Sequence, residues 1–477
     1  MASPHSVASR YIARVMPDEI DGSIFYSCTD VAEACGVSRQ TIWRWRQYGL
    51  IPAGRTRRTG SVAFSQTELE YIRSHARQVD SRDAAAPTQV YLDNAASTKP
   101  LAVVRDAVMR AMDVDFGNPS SAHESGRRAR QAVEDARDQV ASLLGADRSH
   151  VTFTSGGTEA NNLVLRHCHE AGYRRVITTA VEHSSILGVL EQIRAAGTEV
   201  IVLDVDASGR VSLDALRALQ IDDETLVSVQ WANNETGVIQ PVLSIGEHVA
   251  RCGGTFHCDA AQAVGKMHID FSGAPIDAIT ITAHKIHGPQ GVGALIAKSR
   301  AHARALMHGG SQERGVRPGT ENFPGIVGFG TAAEHRLATM RNFIRHTRSL
   351  RDMFEARLRE ALVALRFNGA DADRVSTTGS VTIEGIDGQA LVAQLDARGI
   401  RVSQSSACTN MRPEPSYVLR AMGLSEDAAY GTIRYAMSED STFEGCTRAA
   451  EAIVDIAVAL GARRHETPER SSRREVA

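Results

Sequence analysis

The sequence predicts an α/β protein. A large domain is built on a mainly parallel sheet, a smaller α/β domain follows it, and a small, separate helical unit stands in front. Three observations predict this. From residue 90 to about 335, apolar strand-like runs alternate with amphipathic helices, a pattern that implies parallel strands covered by helices with ligands at the strand ends. After residue 335 a long helical stretch, RLATMRNFIRHTRSLRDMFEARLREALVAL, leads into a shorter alternation of SVTIEG, GQALVAQLDARG and IRVSQS. Before residue 80 the elements are short and closed by turn residues, and the polar, alanine-rich run that follows reads as a linker. The expected division is a flexible leader over 1–24, a helical unit over 25–80, a linker over 81–89, a large domain over 90–335, a small domain over 336–462 and a disordered tail over 463–477.

Composition narrows the class. The chain has 477 residues, 43% hydrophobic content and a net charge of -3, which favours no charged partner. No apolar run reaches the ~18 residues that span a bilayer, and the first residues lack an apolar signal core, so a cytoplasmic protein is expected. Seven irregularly spaced cysteines argue against a disulfide framework. Neither Cys28 with Cys35 nor Cys252 with Cys258 has zinc-site spacing.

Taken in order, TDVAEACG predicts a short helix closed by Gly36, and Ser38 caps the helix RQTIWRWRQYG, which Gly49 and Pro52 end. AGRTRRTGSVAF predicts a basic hairpin, and Ser65 with Glu68 forms a capping box for a third helix. Residues 26–79 carry a charge of about +4. This unit resembles winged helix-turn-helix domains of the MerR and excisionase kind. The resemblance implies that Arg39, Thr41, Arg44 and Gln47 face DNA bases, while Ile42 and Trp45 pack inward. A protein-docking module on the same fold is the other reading of this unit.

The strand signals of the large domain are VTFTS, RRVITTA, EVIVLDV, LVSVQWA, TFHCDAA and DAITITA, with a further apolar run at 292–296. Lys285 stands at the end of DAITITA between His284 and His287. The chain holds only four lysines among 53 basic residues, and only lysine can lose its proton and condense with an aldehyde. A pyridoxal-phosphate lysine is therefore the first reading. Such a site needs a helix start for the phosphate, a carboxylate for the ring nitrogen, and a ring against the cofactor face. TSGGTEANN supplies Gly156, Gly157 and Thr158 at a strand-to-helix turn, FHCDAAQAVGK supplies Asp259 and Gln262, EHSS supplies His183, and WANNETG adds Asn233 and Asn234. Cys408, in SQSSACTNMRPEPSYVLRAMG, falls in a run of small and polar residues, which predicts an exposed loop suited to a thiol nucleophile.

From Tyr91 to about residue 460 the chain resembles the cysteine desulfurases of the NifS/IscS type, through YLDNAAST, GNPSSAHESGR, TSGGTEANN, EHSSI, NNETG, CDAAQAVGK, TAHKIHGPQGVGAL, GGSQERGVRPGTEN and SSACTN followed by EPSYVLRAMG. The resemblance implies a fold-type I pyridoxal-phosphate enzyme with a seven-stranded sheet, acting as a homodimer. It implies that Lys285 binds the cofactor and moves protons, that His183 stacks on the ring, and that Asp259 pairs with the ring nitrogen and Gln262 with the ring hydroxyl. Gly157, Thr158, Thr282 and His284 would hold the phosphate, with Thr320 reaching in from a second subunit, while Asn234 and Arg434 position the substrate carboxylate. Cys408 would take sulfur from L-cysteine, leave alanine, and pass the persulfide to an acceptor or iron-sulfur scaffold protein, where it can also serve as a transient cluster ligand. Thr282 stands where serine is usual, and Gln404 and Ser405 replace smaller residues before Ser406. The fused N-terminal unit implies sulfur transfer near DNA, as in DNA phosphorothioate modification or repair of cluster-bearing enzymes, or control of the protein's own gene. The alternatives are a cofactor-binding transcription regulator, which would have no use for Cys408, and a selenocysteine or carbon-sulfur lyase.

Overall fold

The structure, a computed structural model, describes residues 18–20, 23–35, 39–47, 51–56, 61–73, 89–299, 302–303, 305–404 and 414–465. It divides into two compact units, 1–88 and 89–477.

In the first unit, β1 (Asp18–Ile20) and β2 (Ser23–Ser27) pair antiparallel, so that β1 and the start of β2 fall in the stretch expected to be a flexible leader. The two residues between them are Asp-Gly, a strong short-range hairpin signal that the leader reading passed over. Then come α1 (Cys28–Cys35), α2 (Arg39–Gln47), β3 (Arg55–Thr56), β4 (Val62–Ser65) and α3, described over 66–73. The four strands form one sheet in the order β1-β2-β4-β3. The expected capping box is formed: Ser65 N donates to Glu68 Oε2 at 2.8 Å, and Glu68 N donates to Ser65 Oγ at 3.3 Å. Ser27 and Asp30 make the same exchange at the start of α1, at 2.7 and 3.3 Å. Ile42 and Trp45 pack inward as expected, with Val31, Ile51, Phe64, Leu69 and Ile72.

The second unit opens with β5 (Val90–Tyr91), α4 (Ala102–Asp113) and α5 (Glu124–Leu143). The sheet then forms from β6 (Val151–Thr154), β7 (Arg175–Thr179), β8 (Glu199–Leu203), β9 (Thr225–Ser228), β10 (Thr255–Asp259), β11 (Ala278–Thr282) and β12 (Gly293–Ala297). Four helices connect these strands: α6 (Gly157–Glu170), α7 (Ser184–Ala195), α8 (Leu213–Arg217) and α9 (Val242–Arg251). The strand order is β6-β12-β11-β10-β9-β7-β8, and β12 alone runs against its neighbours. β9 to β11 are buried throughout on both faces apart from Thr255, which explains why they read as continuous apolar runs rather than alternating ones.

α10 (Phe323–Ala361) is one continuous helix, so the expected domain boundary at 335 and 336 falls inside it. Its first turns carry Pro324 and three glycines, which read as breakers in sequence. Pro324 occupies the permitted first turn, and Asn322 Oδ1 caps Gly325 N at 3.3 Å. A Cβ at Gly330 would lie 2.6 Å from Ala136 Cα on α5, and one at Gly328 would lie 2.7 Å from Val108 on α4. These glycines therefore serve close helix packing. The cores divide along α10: Met340 belongs to the large cluster under the sheet, and Leu350 belongs to a second cluster with Val90 and Leu92.

That second cluster is completed by β13 (Leu365–Phe367), β14 (Thr378–Ile383), α11 (Gly388–Ala397), β15 (Ile400–Arg401), β17 (Thr432–Ala436) and α14 (Phe443–Ala459). β16 (Ser403–Gln404) pairs with β17, while α12 (Tyr417–Ala421) and α13 (Glu426–Tyr430) pack in a separate small cluster with Val181. β15 pairs in parallel with β5, so residue 90 opens the smaller domain's core rather than the larger one. At the other end, Arg463 to His465 hydrogen-bond to Ala361 and Val363, where the tail was expected to be disordered; 466–477 lie outside the described residues.

Candidate active site

The carboxyl ends of β6, β7, β9, β10 and β11 converge on a cavity of about 690 Å³. Its walls include Gly157, Thr158, His183, Asn234, Asp259, Gln262, Thr282, His284, Lys285 and Arg434. These are the single-chain site residues expected from sequence, brought together from six elements and the turns after them. Thr320 does not line the cavity and is exposed. Cys408 lies outside the described residues, between Gln404 and Glu414.

Lys285 closes the 3-10 turn after β11, and its Nζ donates to Ala95 O at 2.6 Å and to Ala96 O at 2.8 Å. Burial, with the Arg434 guanidinium adding to it, lowers its pKa from 10.5 to about 8, against the pull of Asp259 and Asp93. An appreciable fraction is thus a free amine near neutral pH. His284 points into the same cavity, and burial, followed by Lys285, lowers its pKa to about 4. His287 differs: it is buried in a left-handed backbone conformation (φ 67°), with N donating to Thr98 Oγ1 at 2.7 Å and Nδ1 2.8 Å from Lys99 O. Of the two histidines beside Lys285, only His284 faces the site.

His183 caps α7. Its Nδ1 accepts from Ser185 N at 3.1 Å and lies 2.8 Å from Ser185 Oγ, so the neutral ring carries its proton on Nε2. Partial desolvation lowers its pKa. Asn161 Nδ2 joins this group to the carboxylate, donating to Ser185 Oγ at 2.8 Å and to Asp259 Oδ2 at 2.9 Å. Ala261 N donates to the other oxygen, Oδ1, at 2.9 Å. Asp259 is thereby locked at the end of β10 and 7% exposed, in position to hold a cationic ring nitrogen. His257, two residues earlier, is a core histidine between the hydroxyls of Ser228 and Thr280 at 2.9 and 3.1 Å.

On the facing wall Arg434 gives one terminal nitrogen to Asp93 Oδ1 at 2.8 Å and the other to Asn234 O at 3.3 Å. Arg434 Nε and Asn234 Oδ1 are buried without partners in this structure. A buried guanidinium with a spare donor fits a carboxylate ligand, and the Asn234 amide would meet the same group through its Nδ2 donors rather than through Oδ1. Asn233 is occupied otherwise: its Oδ1 accepts from Glu235 N and Thr236 N, both at 2.9 Å, and so shapes the turn. The residues present also fit pyridoxal phosphate, with an amine of lowered pKa, a locked carboxylate, a neutral imidazole, and a helix N-terminus with the Thr158 hydroxyl for the phosphate.

Sequence reasoning missed several members. Glu235 lines the cavity with its carboxyl pushed up to about 7 by burial, and it accepts from Ser416 Oγ at 2.5 Å. Tyr417 Oη donates to Glu182 O at 2.5 Å. The Ala95 and Ala96 carbonyls that hold Lys285 come from YLDNAAST, a string whose match carried no assigned role.

In the N-terminal unit Arg39 is exposed, and the side chains of Thr41, Arg44 and Gln47 lie outside the described residues. Trp43, on the same helix, is 56% exposed and was not anticipated. Among the described residues no helix is long and apolar enough to cross a membrane.

Comparison with known proteins gives two matches to families. Residues 90–448 match the family of class-V aminotransferases, and residues 26–83 match the MerR helix-turn-helix family of regulatory proteins. A cysteine desulfurase of Nostoc sp. is 41% identical over 375 residues, covering 78% of this chain and 94% of the relative. A solved NifS-like protein superposes with a TM-score of 0.73 at 34% identity, covering 78% of this chain and all of that one. The structure of SspA in complex with cysteine has a TM-score of 0.65 at 34% identity, covering 74% of this chain and 100% of that chain.

Proposed function

We propose, on the premise that this chain belongs to the class-V aminotransferase family and within it to the pyridoxal-phosphate-dependent cysteine desulfurases, a division of labour among its residues and a DNA-linked setting for its chemistry. The observation that carries the division of labour is the convergence of Lys285, His183, Asp259 and Arg434 on one cavity. When bound, pyridoxal phosphate supplies an electron sink for charge at the substrate α-carbon. Lys285 is the residue that anchors it and moves the α-proton. Asp259 holds a ring-nitrogen proton, Gln262 donates to the ring oxygen, and Gly157, Thr158, Thr282 and His284 hold the phosphate. His183, with Nδ1 occupied by Ser185, has its ring face for stacking and Nε2 for proton transfer. Arg434 and Asn234 take the carboxylate of L-cysteine.

Cys408 is the nucleophile. Its thiolate forms an S–S bond to the substrate sulfur as the substrate C–S bond breaks. The bonding pair goes to carbon, which takes up a proton to become alanine, and the persulfide passes to an acceptor thiol. An iron-sulfur scaffold protein is one such acceptor, on which Cys408 would be a transient cluster ligand. The six described cysteines are free thiols, which supports a reducing, cytoplasmic setting.

The working form is a homodimer. Support comes from α4 and the residues after it, where Val103, Met109, Met112, Val114 and Phe116 are 49 to 72% exposed, an apolar face of the kind a partner covers. Thr320, exposed and away from its own chain's cavity, is then available to a neighbour's phosphate. Sedimentation should give twice the chain mass, and Met112→Glu with Phe116→Glu should shift it to one. A monomeric wild type with full activity would sink this reading.

The N-terminal unit is read as DNA-binding. Its charge of about +4 and its match to the MerR family support this. Deleting residues 1–88 should leave cysteine turnover within about twofold and abolish salt-sensitive retention on duplex DNA. Equal retention of the full chain and the deletion would overturn it.

A further inference from the structure

Behind the cavity lies a second buried lysine, the last residue of CDAAQAVGK, to which the sequence reading assigned no role. Lys266, 5% exposed, follows Gln262 by four residues, and its Nζ donates to Gln262 Oε1 at 2.6 Å. Among the described residues no carboxylate lies at ion-pair distance from it; the charged groups that act on it are Lys285, Arg336 and Arg434, all cationic. Gln262 Nε2 in turn donates to Ala95 O at 2.9 Å, the carbonyl that also receives Lys285 Nζ at 2.6 Å. The two lysines are thus joined through one amide and one carbonyl.

An amide presents nearly the same shape either way round, so its neighbours decide which end faces the cavity. Ala95 O can only accept. Lys266 donates when charged, and as a neutral amine it still keeps N–H groups to donate. We propose that Lys266 is a positioning residue: by donating to Gln262 Oε1 it holds the amide with its nitrogen toward the site, so that one N–H rests on Ala95 O and the other meets the ring oxygen of the cofactor. This rests on the reading of Gln262 as the partner of that oxygen. The hold does not depend on pH. Burial, and next the charge on Lys285, lower the pKa of Lys266 to about 7, below the value of about 8 for Lys285. A lysine so shifted is in part a neutral amine near neutral pH, and in either form it is still a donor.

The consequence can be read in the bound cofactor's visible absorption, whose pH midpoint reports the proton shared between Lys285 and the ring oxygen. A ring oxygen without its donor is a stronger base, so the midpoint should rise. In the holoenzyme, Gln262→Leu should raise it by about one unit, a tenfold change in the proton equilibrium. Lys266→Met should raise it by a similar amount, and Lys266→Met added to Gln262→Leu should move it no further. Lys266→Gln, whose shorter chain falls short of Oε1, should behave as Lys266→Met does and replaces that variant if it does not fold. Lys266→Arg, which keeps a donor, should stay near wild type.

If Gln262→Leu leaves the midpoint in place, the reading of Gln262 fails. If Gln262→Leu moves it while Lys266→Met and Lys266→Gln do not, the positioning role of Lys266 is overturned. A shift from Lys266→Met that persists in the Gln262→Leu background also overturns it, since Lys266 would then act by its own charge.

Discussion

Cys408→Ser should bind pyridoxal phosphate as wild type does and fail to convert L-cysteine to alanine and persulfide, with a loss on the order of 10³-fold or more. A serine hydroxyl is not ionised near neutral pH and cannot carry sulfur as a persulfide, so sulfur has no protein acceptor. The described residues that follow Cys408 motivate this expectation. Gln404 and Glu414 bracket its stretch, and Glu414, Pro415 and Ser416 already belong to the cavity wall. Ser416 is tied there through Glu235, and Tyr417 through the carbonyl of Glu182. The measurement is alanine released per sulfur, with mass analysis of the intact protein for an added sulfur on residue 408. Full alanine release by Cys408→Ser would mean that sulfur leaves without a protein thiol, as in a carbon-sulfur or selenocysteine lyase. A wild type that binds the cofactor and does not turn over cysteine would favour a regulator instead.

The strands were legible because each is a short apolar run ended by a residue with chemical possibilities, and the topology of such sheets places those ends together. Lys285, Asp259 and His183 could be found for that reason. Residues that act from behind were not legible. Asn233 and Asn234 are adjacent and identical in type, and only the fold shows that the first shapes the turn while the second faces the cavity. Lys266 was one of the four lysines singled out by scarcity, yet nothing in GK at the end of CDAAQAVGK announces a partner four residues back. The start of α10 was hidden for a different reason. Its glycines lower helix propensity locally, and the compensation comes from α4 and α5, which are far away in sequence. Likewise the shared carbonyl of Ala95 comes from a loop 190 residues before Lys285, a pairing that no local pattern encodes.

Lys285→Ala should abolish covalent attachment of the cofactor and lower cysteine turnover by ~10²- to 10⁴-fold, the range for loss of a positioned acid-base group. Borohydride reduction followed by peptide mapping should label residue 285 in wild type and no lysine in the variant. Lys266 cannot take over, being buried and tied to Gln262. A small primary amine added to Lys285→Ala should restore part of the turnover, which a merely structural lysine would not permit. The pH dependence follows from the sign of the shift. Lys285 is protonated and unreactive below about 8 and a free amine above it, so capture of the cofactor by the apoprotein should rise with pH through about 8. At pH 7 such a group holds roughly two hundred times more free amine than an ordinary lysine. After burial, the next contribution to that shift is the charge on Arg434, so Arg434→Gln should move the capture midpoint upward. The same coupling is expected to act during turnover if Arg434 takes the substrate carboxylate. A substrate carboxylate paired with Arg434 should screen the charge facing Lys285 and raise its affinity for a proton, so the lysine should become a stronger base once there is an α-proton to remove. A capture midpoint that stays in place in Arg434→Gln would show that the two groups are not coupled.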